Sequence, residues 1–260
     1  MFTNMRCIPG ELNCPEAYSD ALAGSDVVIH LAAATGSASD SELTRINVEG
    51  TQLLLDACRS RGVRKVLYVS SIAAGYADLA SYPYGRTKLE AEQRVREAGL
   101  EYVILRPTIV LGDRSPTWKM LRSLATLPII PVFRHGLIRV QPVDVADVAR
   151  AIIAIINGYH PLDPLVELGG PEVVTFADFL LRIRKACGHG PTKTVSIPVW
   201  PIRTSLKMLD RLLGGRFPVS AGQLSPFLHD GTAKPSALYA QLKPSMDSLD
   251  SLLGRIANAE

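Results

Sequence analysis

The chain has 260 residues, 47% hydrophobic and 20% charged, enough to bury a sizeable core as one large α/β domain or one with a small appended lobe. Its net charge of +3 comes from 28 basic against 25 acidic side chains with no basic tract, which gives no electrostatic case for nucleic acid. Cys7, Cys14, Cys58 and Cys187 lack C-x-x-C spacing, so neither a zinc site nor a disulfide framework is expected and a reduced, cytoplasmic setting fits.

Residues 1–12 show little periodicity and lack the apolar core of a signal peptide. Residues 15–23 read as a short helix closed by Gly24, a left-handed stop. The run DVVIHLAA (26–33) is apolar throughout, the pattern of a parallel strand buried on both faces. After a Thr/Gly/Ser-rich loop (35–40), a long helix is predicted over 41–61, apolar at Leu43, Ile46, Val48, Leu53, Leu54 and Cys58 and ended by Gly62. A strand (65–71), a helix (84–98) and a third strand (101–106, EYVILR) follow. Strand alternating with helix through short connections predicts an α/β fold with a doubly wound parallel sheet. Further on, 117–127 and 143–157 read as helices, 137–140 and 165–168 as short strands. Thr175 opens a helix to 187 with Asp178 three residues on, a variant of the capping box. Prolines then break up a basic, apolar-rich segment in which 202–213 is amphipathic and reads as a lid over a cleft. No run reaches the roughly 18 apolar residues of a membrane helix.

The stretch from 66 to 88, VLYVSSIAAGYADLASYPYGRTK, carries the candidate chemistry. A strand ends in Ser70 and Ser71, and a helix then opens at Tyr84 with Lys88 one turn later, on the same face. A phenol beside an ammonium is a general acid/base, because the positive charge stabilises phenolate and lowers the pKa. His30, inside an apolar strand, reads as a core residue, and Asp144 and Asp147 read as helix-capping groups.

The motifs HLAAATG (30–36), INVEGTQLLLDACRSRGVRKVLYVSS (46–71), YGRTK (84–88), LRPTIVLG (105–112) and QPVDVADVARAI (141–152), in that order, resemble the extended short-chain dehydrogenase/reductase superfamily, the NAD-dependent epimerase/dehydratase group. The resemblance covers about residues 10 to 185. The segment LSPFLHDGTAKPSALYAQL (224–242) resembles the bacterial branch related to an accessory subunit of respiratory complex I. The resemblance implies a Rossmann-like domain over 1–164, with 107–135 contributing to a small C-terminal substrate lobe that continues over 165–260. It implies NAD or NADP as cofactor and hydride transfer at a carbinol or carbonyl carbon, with Tyr84 as acid/base, Lys88 as its electrostatic partner and ribose ligand, and Ser71 orienting the substrate. Leu31, Ala32, Ala33, Thr35, Asn47, Val69, Ser70, Pro107 and Thr108 would line the dinucleotide. Glu11 and Leu12 stand where the family meets the adenine, and Arg139 where sugar epimerases often bind phosphate. A small-molecule or nucleotide-sugar substrate is implied, as is a homodimer through helices 41–61 and 84–98. Ser71 precedes Tyr84 by only thirteen positions, a short connection for a sugar epimerase.

One motif of the family is missing. None of the twenty glycines falls at the GxxGxxG spacing that cradles a pyrophosphate at a helix N-terminus. The strand that motif follows would be central in the sheet, so its loss leaves the 26–33 strand with an exposed apolar edge. A truncated reading of a normal enzyme, a non-catalytic Rossmann-like subunit or scaffold that has lost the phosphate cradle, and a cradle supplied by another segment or chain all fit the sequence.

Overall fold

Side chains alternate across an extended chain, so a strand that is apolar at every position is stable only between two layers. The computed structural model describes residues 6–35, 38–159, 163–198 and 228–259. In chain order the first half contains α1 (Ser19–Leu22), β1 (Val27–His30), α2 (Asp40–Thr44), α3 (Gly50–Ser60), β2 (Lys65–Val69), α4 (Pro83–Glu97) and β3 (Glu101–Pro107). There follow β4 (Val110–Leu111), α5 (Pro116–Ala125), β5 (Ile130–Val132), β6 (Arg139–Val140), β7 (Val143–Asp144) and α6 (Val145–Ile156). The remainder forms β8 (Leu165–Leu168), β9 (Val174–Thr175), α7 (Phe176–Ala186), β10 (Thr194–Ser196), α8 (Ala237–Leu242) and α9 (Leu249–Ala257).

The main sheet is parallel throughout, in the order β1-β2-β3-β8. Val66, Tyr68 and Ile104 point to the face covered by α3 and α4, where Leu54, Leu55, Cys58, Ala91 and Val95 meet them. Their neighbours Leu67, Val103 and Leu105 point the other way, onto Val148, Ala151 and Ile155 of α6 and Leu238 and Leu242 of α8. This is the three-layer, doubly wound Rossmann-like arrangement that the alternation of elements predicts. A separate cluster joins α5, α7 and α9 through Trp118, Leu121, Phe179, Ile183, Leu252 and Leu253, with β5 and β6 contributing Ile130, Val132 and Val140.

Several boundaries differ from the predicted ones for local reasons. The predicted strand over 26–33 pairs only over Val27–His30, and 31–35 continue as irregular chain at its C-terminal end. The predicted helix over 41–61 contains a π-helical turn, Arg45–Glu49, between α2 and α3. Val143 and Asp144 pair with Val110 and Leu111, and α6 begins only at Val145 because the Asp144 carboxylate caps it, accepting the Ala146 N–H at 3.0 Å. Thr175 caps α7 by accepting the Asp178 N–H at 3.2 Å. Residues 165–168, assigned from sequence to the C-terminal lobe, are hydrogen-bonded into the main sheet as β8. The amphipathic segment 202–213 lies outside the described residues. Among the described residues β1 has one strand neighbour, β2, and Ile29 and Leu31 are 38% and 61% exposed along that open side. No helix among the described residues is long and apolar enough to cross a membrane.

Candidate active site

Because β1, β2 and β3 run parallel, their C-terminal ends open on one edge of the sheet, bringing residues 31–35, 70–71 and 107–108 to the same side. Ser71 leaves β2 in extended conformation and caps the 3₁₀ turn Ile72–Gly75, accepting the Ala73 N–H at 3.2 Å. Pro83, pre-set for a first helical turn, opens α4, and Tyr84 follows it. A Cβ at Gly85 would lie 2.8 Å from the Ala73 carbonyl oxygen and 2.9 Å from side-chain atoms of Leu79 and Tyr82, so only glycine lets α4 approach the turn after Ser71 this closely. That approach brings Ser71 near enough to the Tyr84 phenol to oppose the rise that burial imposes on its pKa.

Lys88 is 1% exposed, its Nζ donating to the Val69 carbonyl at 2.8 Å and lying 4.3 Å from the Tyr68 ring centroid. Burial pushes its amine down to about 7, and the Glu92 carboxylate pulls in the opposite direction. Sequence spacing led to the expectation that Lys88 lowers the Tyr84 pKa; the structure corrects it. Burial raises the phenol above its ordinary value, and Ser71 opposes that rise. The reason is that Lys88 is turned to the β2 carbonyl and is itself desolvated, so its charge is expensive to maintain.

Ser70 is buried and Val69 half-buried at the end of β2. The Ser70 hydroxyl donates to Glu92 Oε1 at 2.6 Å, and the Val69 carbonyl receives Lys88. Glu92, fully buried, also accepts two parallel bonds from Arg106 Nε and Nη2, both 2.7 Å, and one from Arg96 Nη2 at 3.0 Å. Arg106 reaches Glu167 of β8 at 3.7 Å on its other side. Sequence reasoning missed this group. Its signal was a glutamate among the inward positions of α4, with Lys88 four residues before it and Val95 three after.

Asn47 sits in the π-helical turn, whose extra residue re-aims its side chain toward the loop after β1. Its amide accepts the Ala34 N–H at 2.7 Å and donates to the Ala34 carbonyl at 3.1 Å and to Thr87 Oγ1 at 3.2 Å. It therefore fixes the loop carrying Leu31, Ala32, Ala33 and Thr35. His30 is buried, as expected for a core residue, with Nε2 2.9 Å from Thr51 Oγ1. The Thr51 hydroxyl donates to the Asn47 carbonyl at 2.6 Å, which uses its proton and makes His30 Nε2 the donor. Burial, aided by the Lys88 charge, pushes His30 down to about 3, a neutral ring.

Leu31, Ala32 and Thr35 are exposed at the open end of β1, while Pro107 and Thr108 are buried, Thr108 donating its hydroxyl to the Gln141 carbonyl. Leu12 packs near Gly50, and Glu11 is exposed. Arg139 is paired with Asp230, which accepts from its Nε at 3.0 Å and from its backbone N–H at 2.9 Å. Next to Asp230, His229 stacks on Tyr76 at 4.9 Å between centroids, Tyr76 stacks on Tyr82 at 6.2 Å, and Tyr82 meets Tyr84 at 5.9 Å.

A Rossmann-like sheet with a serine, a tyrosine and a lysine gathered at the carboxyl ends of its strands places this chain among the dinucleotide-type α/β folds. The chain belongs to the NAD dependent epimerase/dehydratase family, which residues 4–164 match. It is 30% identical over 244 residues to the ceramide reductase of Caulobacter vibrioides (strain NA1000 / CB15N), covering 92% of this chain and 75% of that protein. It is 27% identical over 187 residues to NADH dehydrogenase [ubiquinone] 1 alpha subcomplex subunit 9, mitochondrial, of Dictyostelium discoideum, covering 71% of this chain and spanning half the length of that relative. The solved structure of gox2253 superposes with a TM-score of 0.70 at 24% identity, covering 96% of this chain and 82% of that one, a likeness of fold.

Proposed function

We propose that this protein is a nicotinamide-dinucleotide-dependent oxidoreductase acting at a carbonyl or carbinol carbon, with Tyr84 as the acid/base, Ser71 orienting the substrate oxygen and Lys88 beneath them. The observation that carries this reading is the placement of Ser71 at the end of β2 against the first turn of α4, with Tyr84 in that turn and the buried Lys88 one turn further on. The exposed strip Leu31, Ala32 and Thr35, fixed by Asn47, fits the side of a dinucleotide, and Tyr84 with Lys88 fits its nicotinamide riboside end. When bound, the nicotinamide would supply or take up the hydride. In the reducing direction the Tyr84 hydroxyl gives its proton to the carbonyl oxygen, and Ser71 donates a hydrogen bond to the same oxygen while the new carbinol forms. In the oxidising direction Tyr84, as the phenolate, takes that proton, and Ser71 eases the ionisation that burial opposes. NAD or NADP fills the cofactor role equally in this reading.

Two features favour an uncharged carbonyl substrate over a nucleotide sugar. Arg139 is already paired with Asp230, and the aromatic series His229, Tyr76 and Tyr82 flanks Tyr84. The relationship to a protein named ceramide reductase points the same way.

The test is calorimetric binding of NADH and NADPH to the 260-residue chain, followed by cofactor oxidation against a panel of ketones. Tyr84→Phe is expected to lower turnover by about 10²–10⁴-fold with cofactor affinity retained. A second reading, a non-catalytic Rossmann-like subunit, is favoured by the likeness to a relative named as a subunit of NADH dehydrogenase. A cooperatively folded chain that binds neither nucleotide would remove the enzyme reading for this chain and leave that second reading standing.

A further inference from the structure

We propose that Glu92 is a positioning residue for this site: its buried carboxylate anchors the strand end that presents Ser71 and keeps the Lys88 ammonium charged beneath Tyr84. The inference rests on the reading of Ser71, Tyr84 and Lys88 as the reacting group.

The geometry makes the link from two directions. Glu92 lies four residues after Lys88, one turn along the same inward face of α4. It also accepts from the Ser70 hydroxyl, while Lys88 donates to the carbonyl of Val69, so the Val69–Ser70 peptide is held on one side by the lysine and on the other by the glutamate. Ser71 is the next residue along, and its hydroxyl meets Tyr84. A shift of Glu92 is therefore a shift of the strand end that presents Ser71.

The charges lead to the same conclusion. Lys88 is faced by His30 from β1, by the Tyr68 ring from β2 and by Glu92 from its own helix, with Tyr84 one turn before it in the chain. His30 is neutral and carries its proton on Nε2, toward Thr51, so it offers Lys88 no negative charge. Tyr68 is held protonated by burial. The carboxylate that works against the desolvation of Lys88 is that of Glu92. Glu92 in turn is kept ionised by Arg106, Ser70 and Arg96, with Glu167 standing behind Arg106. A buried carboxylate with four donors cannot wander, which fits a fixed electrostatic support rather than a proton carrier.

The experiment follows the titration of Lys88 itself, by the Cε chemical shift in protein labelled with ¹³C-lysine, the signal being assigned by its loss in Lys88→Arg. The whole chain is used, without cofactor. Glu92→Gln, which keeps the shape and part of the hydrogen bonding, is expected to move the Lys88 midpoint down by about one pH unit, a tenfold drop in the ratio of ammonium to amine at fixed pH. Glu92→Asp, which keeps the charge, is expected to restore most of that ratio. Arg96→Gln, at the partly exposed end of the group, removes a competing cation and is expected to raise the ratio about twofold while leaving the fold intact.

A Lys88 midpoint that stays put in folded Glu92→Gln overturns the proposal. If Glu92→Gln does not fold, an unmoved midpoint in Arg96→Gln overturns it instead. The outcome is separable from the proposed reaction, because it is read without turnover. A Glu92-dependent midpoint without ketone reduction would remove the reaction and leave the link. Tyr84-dependent reduction with a fixed midpoint would remove the link and leave the reaction.

Discussion

The two sides of the sheet's carboxyl edge are built differently. On the side of β2, β3 and α4, the buried charged groups are answered: Lys88 by Val69, Glu92 by Ser70, Arg96 and Arg106, and Arg106 by Glu167. On the side of β1, the strand has a single neighbour among the described residues, Ile29 and Leu31 are open to solvent, and the following loop depends on one asparagine. The first side is a finished, pre-organised arrangement in which polar groups cost little because each has its partner. The second exposes apolar surface that a ligand or another chain segment would cover. The two regions are thus unequally packed.

The largest expected effect breaks the packed side. Glu92→Ala leaves the Arg106 guanidinium buried without its bidentate partner and is expected to cost about 3–5 kcal/mol in urea denaturation. Removal of an exposed ion pair, by Arg59→Ala beside Asp56, is expected to cost under about 1 kcal/mol on the same measurement. Equal losses for the two would refute the contrast between a sealed group and a solvated surface.

A comparable loss, about 3–5 kcal/mol, is expected for Trp118→Ala in the cluster of α5, α7 and α9, where the indole is fully buried. If that loss appeared as a separate, earlier unfolding transition, the cluster would be an independent cooperative unit. A single shifted transition would join it to the sheet.

His30 sharpens the comparison through pH. Its folded pKa lies near 3 against an ordinary 6.5, so between those values the unfolded chain binds a proton that the folded chain does not. Stability should therefore fall as pH drops from about 6.5 toward 3, by up to about 1.4 kcal/mol per pH unit from this group. Chemical denaturation of His30→Gln at pH 7 and pH 5 should show a smaller difference than the parent chain does. An unchanged difference would mean that His30 is solvated and β1 is looser than its hydrogen bonds to Thr51 indicate.

The smallest effects lie at a cap and at the open edge. Thr175→Ala removes the acceptor for the Asp178 N–H and is expected to cost about 1 kcal/mol. Leu31→Ser is expected to change thermal stability by under about 0.5 kcal/mol while reducing self-association seen by light scattering. A large stability loss from Leu31→Ser would show that the edge is packed and the contrast between the two sides false.

The sequence by itself determined the parallel sheet, because continuous apolar runs alternating with amphipathic helices have few other ways to bury both faces. It also determined that Tyr84 and Lys88 share a helix face and that Thr175 caps a helix, since these follow from spacing along a single element. The tertiary structure decided what depends on contacts between elements distant in the chain. It turned Lys88 toward Val69, gave Ser70 to Glu92, tied Arg139 to Asp230 and spent the Asn47 amide on the loop after β1. It also reversed the expected direction of the Tyr84 pKa. Spacing predicts which groups meet but not how much water remains between them, and at this site the loss of water outweighs the neighbouring charge.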